Sequence, residues 1–382
     1  MKKTTVALTF ILLAASIAAA EPVIRWWGLT SFRQRHEISK EFTDISFAGG
    51  TPGTLLYRLD NSTTRLGYQF GLKADVRENI SVGLTLRSGL SGLAQVMHQD
   101  IDNKNGLIPA IQEAYIDWRT PYFKVEMGKI PQQGNALWDV YTSTLQTDFR
   151  RDDPRDGIFN DRLAALNGAR ISRSFGPVAL RGLFHADFVG GSYKKIEDGS
   201  FDFIRDPDRN VTMIGTTIDL STLPMLAGAS VDFDYGFPRR ASKDETNPVW
   251  VYADETIWGA GIKHASDISL VQISYAYNWR DSVFTMTYLD ALLQANCGNI
   301  ARNMGKDWGD FTATVRYQGS SEKMEFIPYK GAEATRTALH FYLNKSLWGL
   351  DFQPRFIWFN TEIESKKVRT QARYELTTTV RF

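Results

Sequence analysis

The sequence predicts an all-β protein: a transmembrane antiparallel β-barrel of about sixteen strands, with short periplasmic turns and long external loops. Three observations predict it. The first is the C-terminal stretch ARYELTTTVRF, in which Ala372, Tyr374, Leu376, Val380 and Phe382 fall on one face and Arg373, Glu375, Thr377, Thr379 and Arg381 on the other. Successive side chains of an extended strand point to opposite faces, so one face is apolar and aromatic and the other polar. The second is that residues 64–76 repeat this pattern, with Leu66, Tyr68, Phe70, Leu72, Ala74 and Val76 against Arg65, Gly67, Gln69, Gly71, Lys73 and Asp75. The third is that residues 1–20 read as a secretory signal peptide. Lys2 and Lys3 precede a mostly apolar Val6–Ala19, and Ala18 and Ala20 give a small-x-small site, placing cleavage before Glu21.

In chain order the candidate strands are 23–32, 64–76, 79–89, 110–119, 122–130, 166–175, 178–188, 211–220, 227–236, 255–265, 268–280, 308–318, 322–328, 335–345, 349–359 and 369–382. The segment 79–89 alternates Ile80, Val82, Leu84 and Leu86 with Ser81, Gly83, Thr85 and Arg87. In 268–280, Val271, Ile273, Tyr275, Tyr277 and Trp279 oppose Gln272, Ser274, Ala276 and Asn278. Short connections fall at Arg77-Glu78, Pro121, Gly176-Pro177, 221–226, Ser266-Asp267, Gly319–Ser321 and Ser346–Trp348. Long ones fall at 33–63, 90–109, 131–165, 189–210, 237–254, 281–307, 329–334 and 360–368. No linker or internal repeat divides the chain, so 21–382 reads as a single barrel domain.

Several classes are excluded. After residue 20 no apolar run reaches the ~20 residues of a membrane helix. Lys and Arg total 44 against 43 Asp and Glu, a balance unlike the basic surface of a nucleic-acid binder. Cys297 is the one cysteine, which rules out an intrachain disulfide and a cysteine-cluster metal site. The five histidines are scattered, and no HExxH or Gly-x-Ser-x-Gly motif is present. No cofactor or enzymatic activity is therefore expected. The Asp100–Gly106 stretch lacks the spacing of a calcium loop and reads as a turn. A soluble β-sandwich would also give short strands, but would not explain a charged face in nearly every one.

Parity sends Arg65, Lys73, Arg87, Arg119, Lys124, Arg170, Arg181, Lys263, Arg316, Arg336, Arg355, Arg373 and Arg381 into the lumen. With them go Asp75, Glu113, Asp117, Glu126, Asp187, Asp219, Asp232, Asp234, Asp310, Asp351 and Glu375. On the lipid face such charges cost up to about 2–4 kcal/mol at mid-bilayer. Trp118, Tyr122, Trp258, Trp279, Tyr317, Trp348, Trp358 and Phe382 lie near strand ends and suit girdles at the two interfaces.

The connection 131–165 holds six Asp, four Arg and no Glu. A connection of this length usually has a function, and Trp138, Val140, Tyr141, Leu145 and Phe149 need something to pack on. It follows the hairpin EAYIDWRTPYFKVEMGKIP (113–131), with an aromatic strand, a tight turn and a strand ending near Gly128-Lys129.

With its leader, strand number, turn pattern and terminal Phe382, the chain resembles the general bacterial porins. The resemblance covers the whole chain in architecture. One departure is Pro131-Gln132-Gln133-Gly134, where porins often carry a Pro-Glu-Phe-Gly-Gly type of sequence. The resemblance implies an outer-membrane protein in contact with lipid, a homotrimer, and a third long loop that folds into the lumen. On that basis 131–165 is the candidate constriction loop. Asp139, Asp148, Asp152, Asp153 and Asp156 supply its negative potential, and Arg65, Arg87, Arg355 and Arg373 form the facing basic wall. Charges at a narrow point set ion preference. The expected function is passive diffusion of small hydrophilic solutes and ions. The alternatives are a sugar- or anion-selective channel, and a structural or adhesive barrel with a blocked lumen.

Overall fold

The computed structural model describes residues 23–42, 55–87, 110–131, 165–188, 191–195, 201–205, 209–240, 255–280, 284–323 and 332–382. The strands are β1 (Val23–Phe42), β2 (Leu55–Arg77), β3 (Ile80–Arg87), β4 (Ala110–Arg119), β5 (Lys124–Pro131), β6 (Ala165–Phe175), β7 (Val178–Phe188), β8 (Gly191–Lys195), β9 (Phe201–Arg205), β10 (Arg209–Asp219), β11 (Ala229–Arg240), β12 (Glu255–Ala265), β13 (Ser269–Arg280), β14 (Phe284–Asn296), β15 (Phe311–Lys323), β16 (Glu333–Leu347), β17 (Leu350–Ile363) and β18 (Lys366–Arg381). One short helix, α1 (Cys297–Asn303), precedes β15.

Sixteen of these strands close into one antiparallel barrel, while β8 and β9 form a separate two-stranded sheet. The barrel closes where β1 meets β18, with Leu29 opposite Arg381 and Glu41 opposite Arg369. At its base Gly28 and Phe382 exchange backbone hydrogen bonds of 2.8 and 3.0 Å. Closure leaves no edge strand, the condition a sheet must meet in lipid. The outward positions Ile171, Leu180, Phe184, Ile214, Phe233, Ile273, Leu293 and Val315 are exposed apolar side chains. Inward positions on the same strands carry Arg170, Arg181, Asp234, Ser274, Asp290 and Arg316. A protein with its apolar groups outside and its charges inside is one whose solvent is the bilayer, so the chain is an outer-membrane barrel.

Several boundaries differ from the sequence expectation. The loop expected at 33–63 is cut to 43–54, because β1 and β2 pair as far as Phe42 opposite Leu55. Along Arg33-Gln34-Arg35-His36-Glu37 both faces are polar, and the apolar signal that marks a strand vanishes. The external loop expected at 281–307 is instead β14 plus the start of a connection at the tight-turn end. In FTMTYLDALLQAN apolar side chains fall on both faces, so alternation is again lost, here through too much apolarity. The expected turn at Gly319–Ser321 lies inside β15, which pairs without interruption from Phe311 to Lys323. One missed strand and one strand divided in two cancel, which is why the count of sixteen holds. The long connection expected at 360–368 is a two-residue turn, Glu364-Ser365, with φ of 49° and 60°.

Connections at the other end are compact: Glu78-Asn79, 120–123, Gly176-Pro177, 220–228, 266–268, 297–310 and Trp348-Gly349. This is the periplasmic end by the rule that short turns face inward in the cell. The α1 connection is built firmly onto it. Asn296 caps the helix by accepting from the Asn299 N–H at 3.0 Å, and the Asn299 side chain donates to the Asp267 carbonyl at 2.6 Å.

Candidate functional site

The inner wall is the candidate site, and its densest part straddles the β1–β18 seam. Register places Arg35 opposite Glu375 and Glu37 opposite Arg373 across β1 and β18. It places Arg355 opposite Glu375 across β17 and β18. The Arg35 Nε donates to Glu375 at 2.6 Å. Arg355, Arg373 and Arg33 stand 3.6, 3.8 and 4.0 Å from the same carboxylate. Glu37 accepts from Arg373 Nε at 3.3 Å. Among the described residues, four guanidinium groups thus converge on Glu375, with Glu37 as the second carboxylate. Arg33, Arg355, Arg373 and Glu375 are all buried against the wall.

The cluster continues sideways through hydrogen bonds. Arg355 donates to His340 Nδ1 at 3.3 Å, and His340 Nε2 meets Gln318 Oε1 at 2.9 Å. Arginine has no acceptor, so in this contact Nδ1 accepts, which leaves Nε2 to donate to Gln318 Oε1. Gln318 in turn donates to the Tyr288 hydroxyl at 2.8 Å. One polar network therefore runs from β14 through β15, β16, β17 and β18 to β1. Beside it Ala338, Ile357 and Phe359 form a small buried apolar cluster that also faces inward.

Elsewhere among the described residues the wall charges form smaller groups on nearby strands. Arg170 Nε donates to Glu126 at 2.6 Å, with Lys124 3.0 Å from the other carboxylate oxygen. Arg181 Nε donates to Asp234 at 2.9 Å, and Arg316 Nε to Asp290 at 2.7 Å. Near the periplasmic mouth Arg381 donates to Asp351 at 2.7 Å and Arg25 to Asp75 at 2.8 Å.

The sequence-predicted wall residues separate into two groups. Arg355 and Arg373 are brought together around Glu375. Arg65 occupies the register position opposite Arg33, beside that cluster, whereas Arg87 sits at the end of β3 opposite Gln69 and away from it. Asp139, Asp148, Asp152, Asp153 and Asp156 lie outside the described residues. Arg33, Arg35, Glu37 and Asp290 were absent from the sequence expectation because the segments carrying them, 33–63 and 281–307, read as loops. The alternation of Arg33, Arg35 and Glu37 with Gln34, His36 and Ile38 was the available signal.

The fold is that of the outer-membrane porins. The chain is similar to the channel DcaP of Acinetobacter baumannii, at 12% identity and a TM-score of 0.56 over 94% of this chain and 97% of that one. It is similar to OmpF of Salmonella typhi at 12% identity and a TM-score of 0.55, over 94% and 97% of the two chains. It is also similar to an anion-selective porin from Comamonas acidovorans, at 11% identity and a TM-score of 0.53 over 94% and 100%. No family model matches the sequence, and no curated protein matches it. The resemblance to porins read from the sequence is thus met in the fold.

Proposed function

We propose that the protein is a porin: a water-filled outer-membrane channel for passive diffusion of small hydrophilic solutes and ions, with no catalytic step. The observation that carries this is the charged inner wall of a closed sixteen-strand barrel, a strand number at which barrels leave an aqueous channel. In this reading residues 1–20 are removed as a signal peptide and the mature chain, 21–382, assembles as a homotrimer. The segment 131–165 folds inward as the constriction loop. Asp139, Asp148, Asp152, Asp153 and Asp156 face the basic seam wall of Arg33, Arg35, Arg65, Arg355 and Arg373, with Arg87 on an adjoining strand.

The test is solute flux into liposomes containing the refolded protein, with and without residues 139–156. The reading predicts swelling rates that fall smoothly with solute size, and a several-fold rise in flux and conductance in the deletion variant. Flux that is absent from folded protein would favour a blocked barrel. Unchanged flux after deletion would remove the constriction role from this segment.

A further inference from the structure

We propose that Trp27 and Tyr115 form an aromatic shelf on the inner wall of β1–β4 that stacks on the ring of a pyranose sugar in transit. This deepens the channel reading and rests on it. Both side chains belong to inward rows of the sheet. In one row Trp27 stands opposite Gly71, Gly71 opposite Thr85, and Thr85 opposite Glu113. In the next, Arg25 stands opposite Lys73, Lys73 opposite Gly83, and Gly83 opposite Tyr115.

Each aromatic ring lies over the glycine beside it. A Cβ on Gly71 would overlap the Trp27 indole, nearest the fused atom Cε2, with Nε1 and Cζ2, two of its three ring neighbours, next. That order of distances describes contact with the face of the indole. A Cβ on Gly83 would fall 2.4 Å from the Tyr115 ring. Glycine inside a strand often marks a place where another group approaches the backbone closely. Here the approaching group is a ring, which lies against the wall and turns its other side to the lumen. Gly71 and Gly83 are diagonal neighbours, about 7–8 Å apart in a regular sheet, so the two rings lie on adjacent inward rows.

Trp27 differs from the other lumen aromatics. Tyr288 and Phe359 are 1% and 4% exposed and Tyr115 and Tyr342 are intermediate, whereas Trp27 is 41% exposed. An uncovered indole on a wall of charges is an apolar surface awaiting a partner. The surrounding groups define that partner's chemistry. Thr85 donates to Glu113 at 2.8 Å on one side, and Arg25 pairs with Asp75 at 2.8 Å on the other, with Lys73 between. A solute that matches has an apolar ring face and a rim of hydroxyls able both to donate and to accept, which is the description of a pyranose. Sites of this kind combine aromatic surface with a few placed polar groups.

The experiment uses single channels of the full refolded protein, with maltotriose as probe and sorbitol as a linear control. The shelf predicts saturable interruption of the current by maltotriose and little by sorbitol. Trp27→Ala and Tyr115→Ala should each weaken the block about tenfold, while Trp27→Phe retains most of it and the sugar-free current persists. Gly71→Ala should weaken the block too, because the new methyl displaces the indole while keeping it in the chain. Rings that merely fill the space over glycines would leave the block unchanged in these variants. An open pore without saturable block, or block surviving in the Trp27→Ala/Tyr115→Ala double variant, would overturn the shelf. Absence of any current would count against the channel reading instead. The shelf is then decided by titrating the folded protein in detergent with maltotriose and following Trp fluorescence, where no saturable change overturns it.

Discussion

Across β4, β5 and β6 Arg170 and Lys124 meet Glu126, with Asp117 beside Lys124; at the β1–β18 seam four arginines converge on Glu375, with Glu37 as the second carboxylate. The first arrangement comes close to balancing its charges. Its charges hydrate the wall, tie neighbouring strands and leave little field across the lumen. The second concentrates positive charge on one side of the barrel, so that the same carboxylate both holds the seam and limits the repulsion among its arginines. In the proposed channel a wall residue has a structural role where charges match in number, and bears on permeation where they do not.

Glu375→Gln should show the largest effect. It removes the shared counter-ion of four buried guanidinium groups, and loss of one buried partner costs about 3–5 kcal/mol. Urea unfolding of the barrel in detergent measures it, and a loss below about 1 kcal/mol would mean that Glu375 does not organise the seam. The paired wall should behave differently. Arg170→Met alone should cost about 3 kcal/mol, whereas Arg170→Met with Glu126→Leu should restore most of the loss, because a buried pair is often replaceable by apolar groups. A double-mutant cycle on the same unfolding assay tests this.

Ion preference should separate the two walls further. Arg373→Gln should shift the reversal potential towards cations, and Arg170→Gln should shift it less. The contrast should shrink between 0.1 M and 1 M salt, as the screening length falls from about 10 Å to about 3 Å. Equal shifts from both variants would erase the distinction between the walls. The smallest effect expected is at the base of the seam. A Cβ at Gly28 would fall 2.4 Å from the Phe382 ring, so Gly28→Ala should destabilise the closed barrel by about 1–2 kcal/mol, read as a lowered temperature for the loss of its compact gel mobility.

The sequence carried much of this fold because lipid enforces one rule on every strand, apolar outside and polar inside. β18, β13 and the lower half of β2 follow it closely, with Thr370 and Thr378 outside and Ala276 inside as the departures, and their faces were assigned correctly. It weakens where the surroundings change. The upper half of β1 is polar on both faces, at His36, Lys40 and Gln34 as well as at Arg33 and Arg35. β14 has the opposite fault, with Tyr288 and Leu292 buried on the inside beside Asp290. Half of the seam cluster sat in the hidden part of β1, so Arg355 and Arg373 were identified while Arg33 and Arg35 were not. Parity assigns a face to a residue but cannot say which strands become neighbours several places apart. The convergence on Glu375 became visible only when β18 was set against both β1 and β17. The Trp27–Gly71 and Tyr115–Gly83 contacts share that origin, since each joins residues distant in the chain.

The central claim is that the lumen of this barrel is an open, water-filled path. Single-channel conductance of the refolded protein in a planar bilayer, with reversal potential under a salt gradient, tests it most directly. The account predicts steady large openings, and a trimer would give them in steps of three. A bilayer that stays silent with protein shown to be folded and inserted would contradict it and assign the barrel a blocked lumen.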